Sequence, residues 1–172
     1  MERTVCNVKE RVEGILLGLA AGDRNGGPIQ MAVRLAESLV ERDSVDVDDI
    51  GSRYLDWWHK GAFDTGPTAA GVFTLVDSGL SFQAAARQVH IEAGEQTAGC
   101  NPAHRSAPLA MLAGLNAKQL ADYIAMEAKL THHHPLSGDV ATAVAVICHE
   151  LVRGVTWKDA VESARIRRLP ET

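Results

Sequence analysis

The 172 residues are 46% apolar and 23% charged and carry a net charge of −5, which predicts one globular domain that folds alone or as a homo-oligomer. Because the 17 Lys and Arg residues are scattered along the chain, we expect no nucleic-acid binding. The three cysteines are widely spaced and include no CxxC pair, which argues against a disulfide framework and favours a cytoplasmic location. No signal-peptide pattern or apolar run of about 20 residues occurs, so neither secretion nor membrane insertion is expected.

Apolar residues recur at helical spacing along most of the chain. A first helix is predicted from Val8 to Leu19 and a second from Ile29 to Val40, with Pro28 suited to its first position. Further helices are predicted over about 46–59, 67–78, 81–95, 105–113, 117–130, 138–152 and 157–166. Predicted helix N-caps are Ser81, Asn116 and Thr156, and predicted helix ends are Gly79, Gly114 and Gly154.

No segment is typical of a strand, so the predicted fold is all-α: one compact domain of eight or nine helices that spans residues 1–172. The segment "GDVATAVAVICHELVRG" is apolar on nearly every face and predicts a central helix. Within it, Cys148 and His149 are interpreted as packing residues rather than as a catalytic pair. Of the adjacent Trp57 and Trp58, one is expected in the core and the other partly exposed, and Trp157 is expected to anchor packing.

Polar chemistry collects in four stretches between helices, which we call polar segments 1 to 4. They are "GDRNGGP" (22–28), "FDTGP" (63–67), "GCNPAHRSAP" (99–108) and "LTHHHPLSGD" (130–139). Such loops can converge at one end of a helical bundle, and helix N-termini after Gly-Pro offer backbone N–H groups to an anion. The pattern therefore permits a site for a phosphate-bearing ligand.

Each polar segment also has a purely structural interpretation. Asp23 can stabilise the start of the second helix, Asp64 and Thr65 can cap the helix that begins near Pro67, and Asn101 can form an Asx turn before Pro102. The adjacent histidines 132–134 cannot all face one metal ion, so at most one ligand or hydrogen-bond donor is expected among them.

The order of these segments resembles the ADP-ribosylglycohydrolase family over roughly residues 10–155. "GILLGLAAGD" and "MAVRLAESL" resemble its first two helices, and "YLDWWHKGAFDTGPTAAGVF" resembles its segment of tyrosine, tryptophan and Asp-Ile-Gly. "GCNPAHRSAPLAM" resembles its substrate loop, which ends in Arg-x-Ala-Pro. "LTHHHPLSGDVATAVAV" resembles its Thr-His-x-x-Pro segment before an alanine-rich helix.

The resemblance implies an all-α fold and an ADP-ribose-like ligand, whose glycosidic bond at the ribose is hydrolysed by water held between two magnesium ions. In the family a Thr-Asp-Asp-Thr run and a late Asp-x-Asp-Thr run supply the oxygen ligands. Here Gly26, Gly27, Pro28 and Ile29 stand before Met31, and the late run is expected beyond Thr172. The sequence therefore predicts a C-terminally truncated member with no metal ligands, and magnesium is implied by the family alone.

The candidate catalytic residues are Asp23 or Asp64 as general base and His104 or His132 as acid or hydrogen-bond donor. Candidate substrate-binding residues are Asn25, Thr65, Asn101, Arg105 and Thr131. Polar segment 3 departs from the family: Gly99, Cys100 and Asn101 stand where the family usually has Gly-Asn-Gly. His104 stands where the family usually has a methionine.

Three functions remain open from the sequence. The first is a protein that binds ADP-ribose or a related nucleotide without the usual hydrolysis, with a small molecule or an ADP-ribosylated protein as partner. The second is a hydrolase of altered mechanism, in which Arg105 and Asn25 orient a phosphate or ribose. The third is a structural or interaction domain that has no ligand.

Overall fold

A computed structural model describes residues 6–24 and 26–166, and within these ranges the chain is helical without strands. The predicted all-α class is therefore confirmed. The described helices are α1 (Val8–Gly22), α2 (Gly27–Arg42), α3 (Val47–His59), α4 (Pro67–Asp77), α5 (Phe82–Glu92), α6 (Asn101–Arg105), α7 (Ala117–Ala128), α8 (Pro135–Val152) and α9 (Trp157–Ile166), with a 3-10 helix (Ala107–Met111) between α6 and α7.

Local sequence signals account for most helix ends. The Ser81 side chain accepts the N–H of Ala84, Asn116 forms a capping box with Gln119, and Thr156 Oγ1 accepts the N–H of Asp159, so all three predicted N-caps are confirmed. Gly79 and Gly114 follow helical segments with φ of 105° and 79°, a left-handed conformation that glycine adopts without steric cost.

The predicted helix 105–113 is wrong as a continuous element. The chain instead forms α6, turns at Ser106, and continues as the 3-10 helix. Pro108 has no N–H to donate to His104 four residues earlier, and its ring would collide with that carbonyl group, so an α-helix cannot run through this position. α8 also begins three residues earlier than predicted, because His134 Nδ1 accepts the N–H of Leu136.

α8 is the central helix, as predicted, and it contacts α1, α6, α7, α9 and the 3-10 helix. By length and composition it is also the one described helix that could cross a membrane. Its close-packed face carries Ala141, Ala145 and Val146. Small residues on this face let neighbouring helices approach, and core helices of folded domains commonly have this composition.

The tryptophans divide between the core and the surface. Trp57 is buried and Trp58 is partly buried against the core, as predicted. Trp157 is 66% exposed, so the prediction that it anchors packing is wrong. α9 instead packs through Ala160 and Ala164, whereas Trp157 is the first residue of the helix.

α1 differs from every other long helix because none of its residues is buried. Its inner side holds Val12, Ile15, Leu16 and Leu19, each only partly covered. Arg11 fastens the N-terminal half by donating from Nη1 to the carbonyl oxygen of Leu151, at 3.2 Å. α1 is therefore attached to the domain at one end and only lightly packed along its length.

Candidate functional site

Polar segments 1 and 2 lie in direct backbone contact. Gly27, at the start of α2, is buried against residues 63 and 64: a Cβ added at this glycine would lie 2.9 Å from the carbonyl oxygen of Phe63 and closer still to that of Asp64. Contacts this short do not occur around real Cβ atoms, so only glycine allows the two segments to meet. Gly27, the second glycine of "NGGP", is therefore required for the two segments to pack closely, in addition to its place at the turn into α2.

Asn101 joins polar segments 2 and 3. Its Nδ2 group donates to the carbonyl oxygen of Thr65, at 3.3 Å, and its Oδ1 atom accepts from Arg105 Nη1, at 2.6 Å. Asn101 is the first residue of α6, and its side chain bonds across the molecule. The interpretation of Asn101 as a local Asx turn is therefore wrong, because its oxygen is committed to Arg105.

A buried ion pair lies beneath these segments. Arg105 and Glu127 have no exposed surface, and Arg105 Nε donates to Glu127 Oε1 at 2.5 Å. Tyr54 donates its hydroxyl hydrogen to the same oxygen at 2.7 Å, and the guanidinium lies 5.2 Å from the centre of the Tyr54 ring. We call Tyr54, Arg105 and Glu127 the buried hub. It ties α3, α6 and α7 together.

The ionisable groups of the hub are buried in contact with one another. Burial lowers the pKa of the Arg105 guanidinium, but the charge and hydrogen bond of Glu127, together with Tyr54, outweigh burial and raise this pKa. Burial, together with the negative charge of Glu127, raises the pKa of Tyr54 well above its ordinary value. The phenol therefore stays protonated and serves as a donor to Glu127.

Polar segment 4 is held to the hub by Thr131. Arg105 Nη2 donates to Thr131 Oγ1 at 2.9 Å, and this oxygen lies 2.8 Å from His132 Nδ1. Because Arg105 already donates to Thr131, the hydroxyl hydrogen is available to His132 Nδ1, and we assign the ring proton to Nε2. A Cβ at Gly99 would lie 2.9 Å from that Nε2 atom, so polar segments 3 and 4 also meet.

Burial, followed by the positive charge of Arg105, lowers the pKa of His132 to about 3. The ring is 4% exposed and neutral near pH 7. A neutral ring with its proton on Nε2 suits a hydrogen-bond donor, and the role predicted for His132 as acid or hydrogen-bond donor stays a prediction.

Two of the predicted substrate-binding residues are inaccessible. Arg105 and Thr131 have no exposed surface, and their polar atoms bond to one another, to Glu127, to Asn101 and to His132. In this structure neither side chain has surface open to a ligand, and the substrate-binding role predicted for both stays a prediction. Both residues position the segments around them.

The two helix N-termini that follow Gly-Pro differ in what they bind. At α2, Asp23 Oδ2 accepts the N–H of Ile29 at 2.8 Å, so the structural interpretation of Asp23 is confirmed and a carboxylate already occupies this N-terminus. At α4 the N-cap is Gly66, without a side-chain capping bond. The interpretation of Asp64 and Thr65 as caps is therefore wrong, and no side chain caps the N-terminus of α4.

The remaining candidate residues belong to the polar segments, and we call the place where these segments meet the segment junction. Asp64 is exposed, with φ of 56°, and Thr65 is nearly buried. His104 is exposed on α6, three residues after Asn101, and Cys100 is exposed just before α6. Asn25 lies outside the described residues.

The residues before Met31 do not fit magnesium. Gly26, Gly27, Pro28 and Ile29 have no side-chain oxygen, and Gly27 has no space for one because segment 2 packs against it. Within residues 6–24 and 26–166, no group of three or more His, Cys, Asp and Glu side chains could hold a metal ion.

The three consecutive histidines separate in space. His132 faces the hub, whereas His133 and His134 pack against His90, with ring centres 5.2 and 5.6 Å from that of His90. All three border a groove of about 650 Å³ between α7 and α8. His132 is the one candidate residue that lines this groove, so the groove adjoins the segment junction without coinciding with it.

Sequence reasoning missed Glu127 and, as a functional residue, Tyr54. The signal was present in their spacing. Glu127 follows Leu120 and Ile124 on the buried face of α7, and Tyr54 lies between the buried residues Ile50 and Trp57 of α3. A carboxylate at a core position needs a cationic or hydrogen-bonding partner, and Arg105 is that partner.

Comparisons with known proteins identify a family. A profile of the ADP-ribosylglycohydrolase family matches residues 28–172, a span that includes polar segments 2, 3 and 4. The ADP-ribosyl-[dinitrogen reductase] glycohydrolase of Rhodospirillum rubrum is 23% identical over 194 residues, which cover 92% of this chain and 63% of that protein. The chain thus spans less than two thirds of the length of this curated relative. No solved structure gives a significant match.

Proposed function

The chain belongs to the ADP-ribosylglycohydrolase family, and from this premise we propose that it binds ADP-ribose, or a related nucleotide, where the four polar segments meet. The relative from Rhodospirillum rubrum is named for an ADP-ribosylated substrate, which supports this ligand class. The observation that carries the proposal is the continuous series of contacts from Gly27 through Asn101 and Arg105 to His132.

The junction offers different groups to the two parts of such a ligand. The N-terminus of α4, which has no side-chain cap, suits the diphosphate because its N–H groups and helix dipole favour negative charge. The neutral Nε2–H group of His132 and the carboxylate of Asp64 suit ribose hydroxyls as donor and acceptor. Arg105 and Thr131 act as positioning residues, since neither side chain is accessible.

We propose binding without the two-magnesium hydrolysis of the family. The positions before Met31 lack ligands, and the contact of Gly27 with segment 2 leaves no space for them. The negative charge of the ligand would therefore be balanced by helix N–H groups rather than by a metal ion held there. Binding that persists in EDTA is the direct consequence.

Thermal unfolding with ADP-ribose, AMP and ribose 5-phosphate, each in EDTA and in magnesium, tests this function. A ligand that binds the folded state raises the midpoint in proportion to the logarithm of its concentration above Kd. We expect ADP-ribose to raise the midpoint equally in EDTA and in magnesium. No increase for any ligand at millimolar concentration would contradict the proposal and favour a structural domain.

The variant Gly99→Ala tests where the ligand binds. Its added Cβ crowds His132 Nε2, so the shift caused by ADP-ribose should decrease. Gly138→Ala is the matched control, because its Cβ would make only ordinary contacts, at 3.9 Å from α7. If Gly138→Ala instead removes the shift, the ligand binds in the groove between α7 and α8, and the proposed position is wrong.

A second candidate function is hydrolysis by an altered mechanism, and the exposure of Asp64 favours it. This carboxylate is free to accept a proton from an attacking water, whereas Asp23 already accepts a backbone N–H group. Release of free ADP-ribose from ADP-ribosylated arginine, abolished in Asp64→Asn, would support this function. Absence of release with magnesium, with manganese and in EDTA would exclude it and leave binding as the function.

A further inference from the structure

The outer face of α1 is an apolar helix surface that nothing in the described chain covers. Leu17 is 70% exposed, and Cβ atoms added at Gly14, Gly18 or Gly22 would meet no atom within 4 Å. Residues 14–22, "GILLGLAAG", contain no charged or polar side chain. A solvent-facing helix surface normally carries charged residues, so this composition is unusual for a surface left in water.

The outer face has a defined shape. Gly14, Leu17, Gly18 and Ala21 are spaced three and four residues apart and therefore lie side by side. One large residue stands beside three small ones, so the face has a projection next to a shallow depression. α1 spans about 22 Å at 1.5 Å per residue, long enough for several turns of contact with another helix.

We propose that this face is the interface between two copies of the chain, with α1 of each copy packed antiparallel on α1 of the other. Pairing about the midpoint between Leu17 and Gly18 sets each Leu17 opposite Gly18 of the second copy. The same pairing sets each Gly14 opposite Ala21 of the second copy. A two-fold axis requires a surface that is complementary to itself. The alternation of large and small residues gives the outer face of α1 this property.

Charge complementarity selects the antiparallel direction. Glu10 lies at one end of the outer face, seven residues before Leu17, and Arg24 lies just beyond the other end of α1; both are exposed. Antiparallel pairing brings Glu10 of each copy near Arg24 of the other, whereas parallel pairing would set Glu10 against Glu10. It also sets the positive end of each helix dipole beside the negative end of its neighbour.

One helix pair is smaller than a standard stable interface of about 1,200–2,000 Å². We therefore expect a reversible dimer with a Kd of order micromolar or weaker. Because Arg24 belongs to polar segment 1, the interface ends beside the segment junction of each copy.

Sedimentation equilibrium of the full chain between about 1 and 500 μM tests this inference. We expect the wild type to pass from monomer to dimer within that range, and Leu17→Lys to raise Kd at least tenfold. Val40→Lys is the matched control: Val40 is also apolar and 82% exposed, but it lies on α2. Far-UV circular dichroism verifies that both variants keep their helices.

Charge reversal tests the direction of pairing. Arg24→Glu should weaken the dimer, and adding Glu10→Arg should restore it, because the two reversed charges again face each other. Glu10 Oε2 also accepts the N–H of Asn7 at the start of α1, so far-UV circular dichroism verifies that the double variant keeps its helices. A wild type that stays monomeric at every concentration would overturn the proposal. So would a Leu17→Lys variant that dimerises like the wild type, or a Val40→Lys variant that is weakened equally. Failure of the double variant to recover would overturn the antiparallel arrangement.

Discussion

α8 and α1 are both long apolar helices, yet they stand in opposite situations. α8 is contacted by four other helices and the 3-10 helix, and beside it the buried hub connects α3, α6 and α7. α1 has no buried residue and is fastened chiefly at its N-terminal end. The difference teaches that the apolar composition of a helix indicates that another surface covers it. The composition does not reveal which surface that is. Around α8 that surface is within the chain, whereas for α1 we propose a second copy.

The sharpest test of this contrast removes one carboxylate from each region. Glu127→Ala leaves Arg105 as an uncompensated buried charge, which should lower the free energy of unfolding by about 3–5 kcal/mol. The matched variant Glu13→Ala removes an exposed carboxylate on α1, paired with Lys9 at 3.7 Å, and should produce no resolvable change. Urea denaturation measures both. Equal effects would contradict the central place given to the hub.

Leucine truncation tests the same comparison through apolar packing. Leu120→Ala on α7 removes a side chain that is 1% exposed and should cost about 2–5 kcal/mol of unfolding free energy. Leu17→Ala on α1 should change it by less than about 0.5 kcal/mol in dilute solution, where the chain is monomeric. A cost at Leu17 as large as that at Leu120 would mean that α1 is packed against its own domain.

Acid titration should destabilise the hub region through His132. Its folded pKa of about 3 lies below the ordinary histidine value of 6.5, so between these values the unfolded chain binds a proton that the folded chain does not. Stability therefore falls as pH decreases from 6.5 toward 3, by about 1.4 kcal/mol for each pH unit. Denaturation curves at several pH values should show a smaller slope for His132→Gln than for wild type. His104→Gln, which removes an exposed histidine, should keep the wild-type slope.

The smallest expected change in the free energy of unfolding comes from a variant at the connection between α1 and α2. Asp23→Ala removes the acceptor for the N–H of Ile29 and should cost about 0.5–2 kcal/mol, the usual value of an N-terminal capping bond. Asp23→Asn keeps a side-chain oxygen and should lose less. Chemical denaturation compares the two variants. If both keep wild-type stability, Asp23 is not a cap in solution and its carboxylate is available for another role.

Much of the fold was predictable from sequence because helix signals are local. Periodicity and caps such as Ser81 and Asn116 depend on residues a few positions apart. The break at Ser106 was missed because periodicity continues across it, although Pro108 signals the interruption. The exposure of Trp157 also escaped prediction, because one aromatic residue after a cap does not reveal which side of the helix packs.

The candidate site was less predictable, since accessibility depends on long-range contacts. Sequence identified the four polar segments and their convergence, but it could not distinguish Asp64, which is exposed, from Arg105, which is buried. That distinction depends on Glu127, 22 residues from Arg105 along the chain. The roles predicted for Asp23, Asp64, His104, Thr65 and Asn101 toward a ligand stay predictions.

Titration calorimetry of ADP-ribose into the protein in EDTA tests the central claim most directly. The account predicts saturable binding of one ligand per chain. It also predicts affinity at least tenfold weaker in Gly99→Ala, and unchanged in Leu17→Lys, because Leu17 lies outside the segment junction. No binding heat at millimolar ligand, or equal affinity of wild type and Gly99→Ala, would contradict the claim that the junction of the polar segments is the binding site.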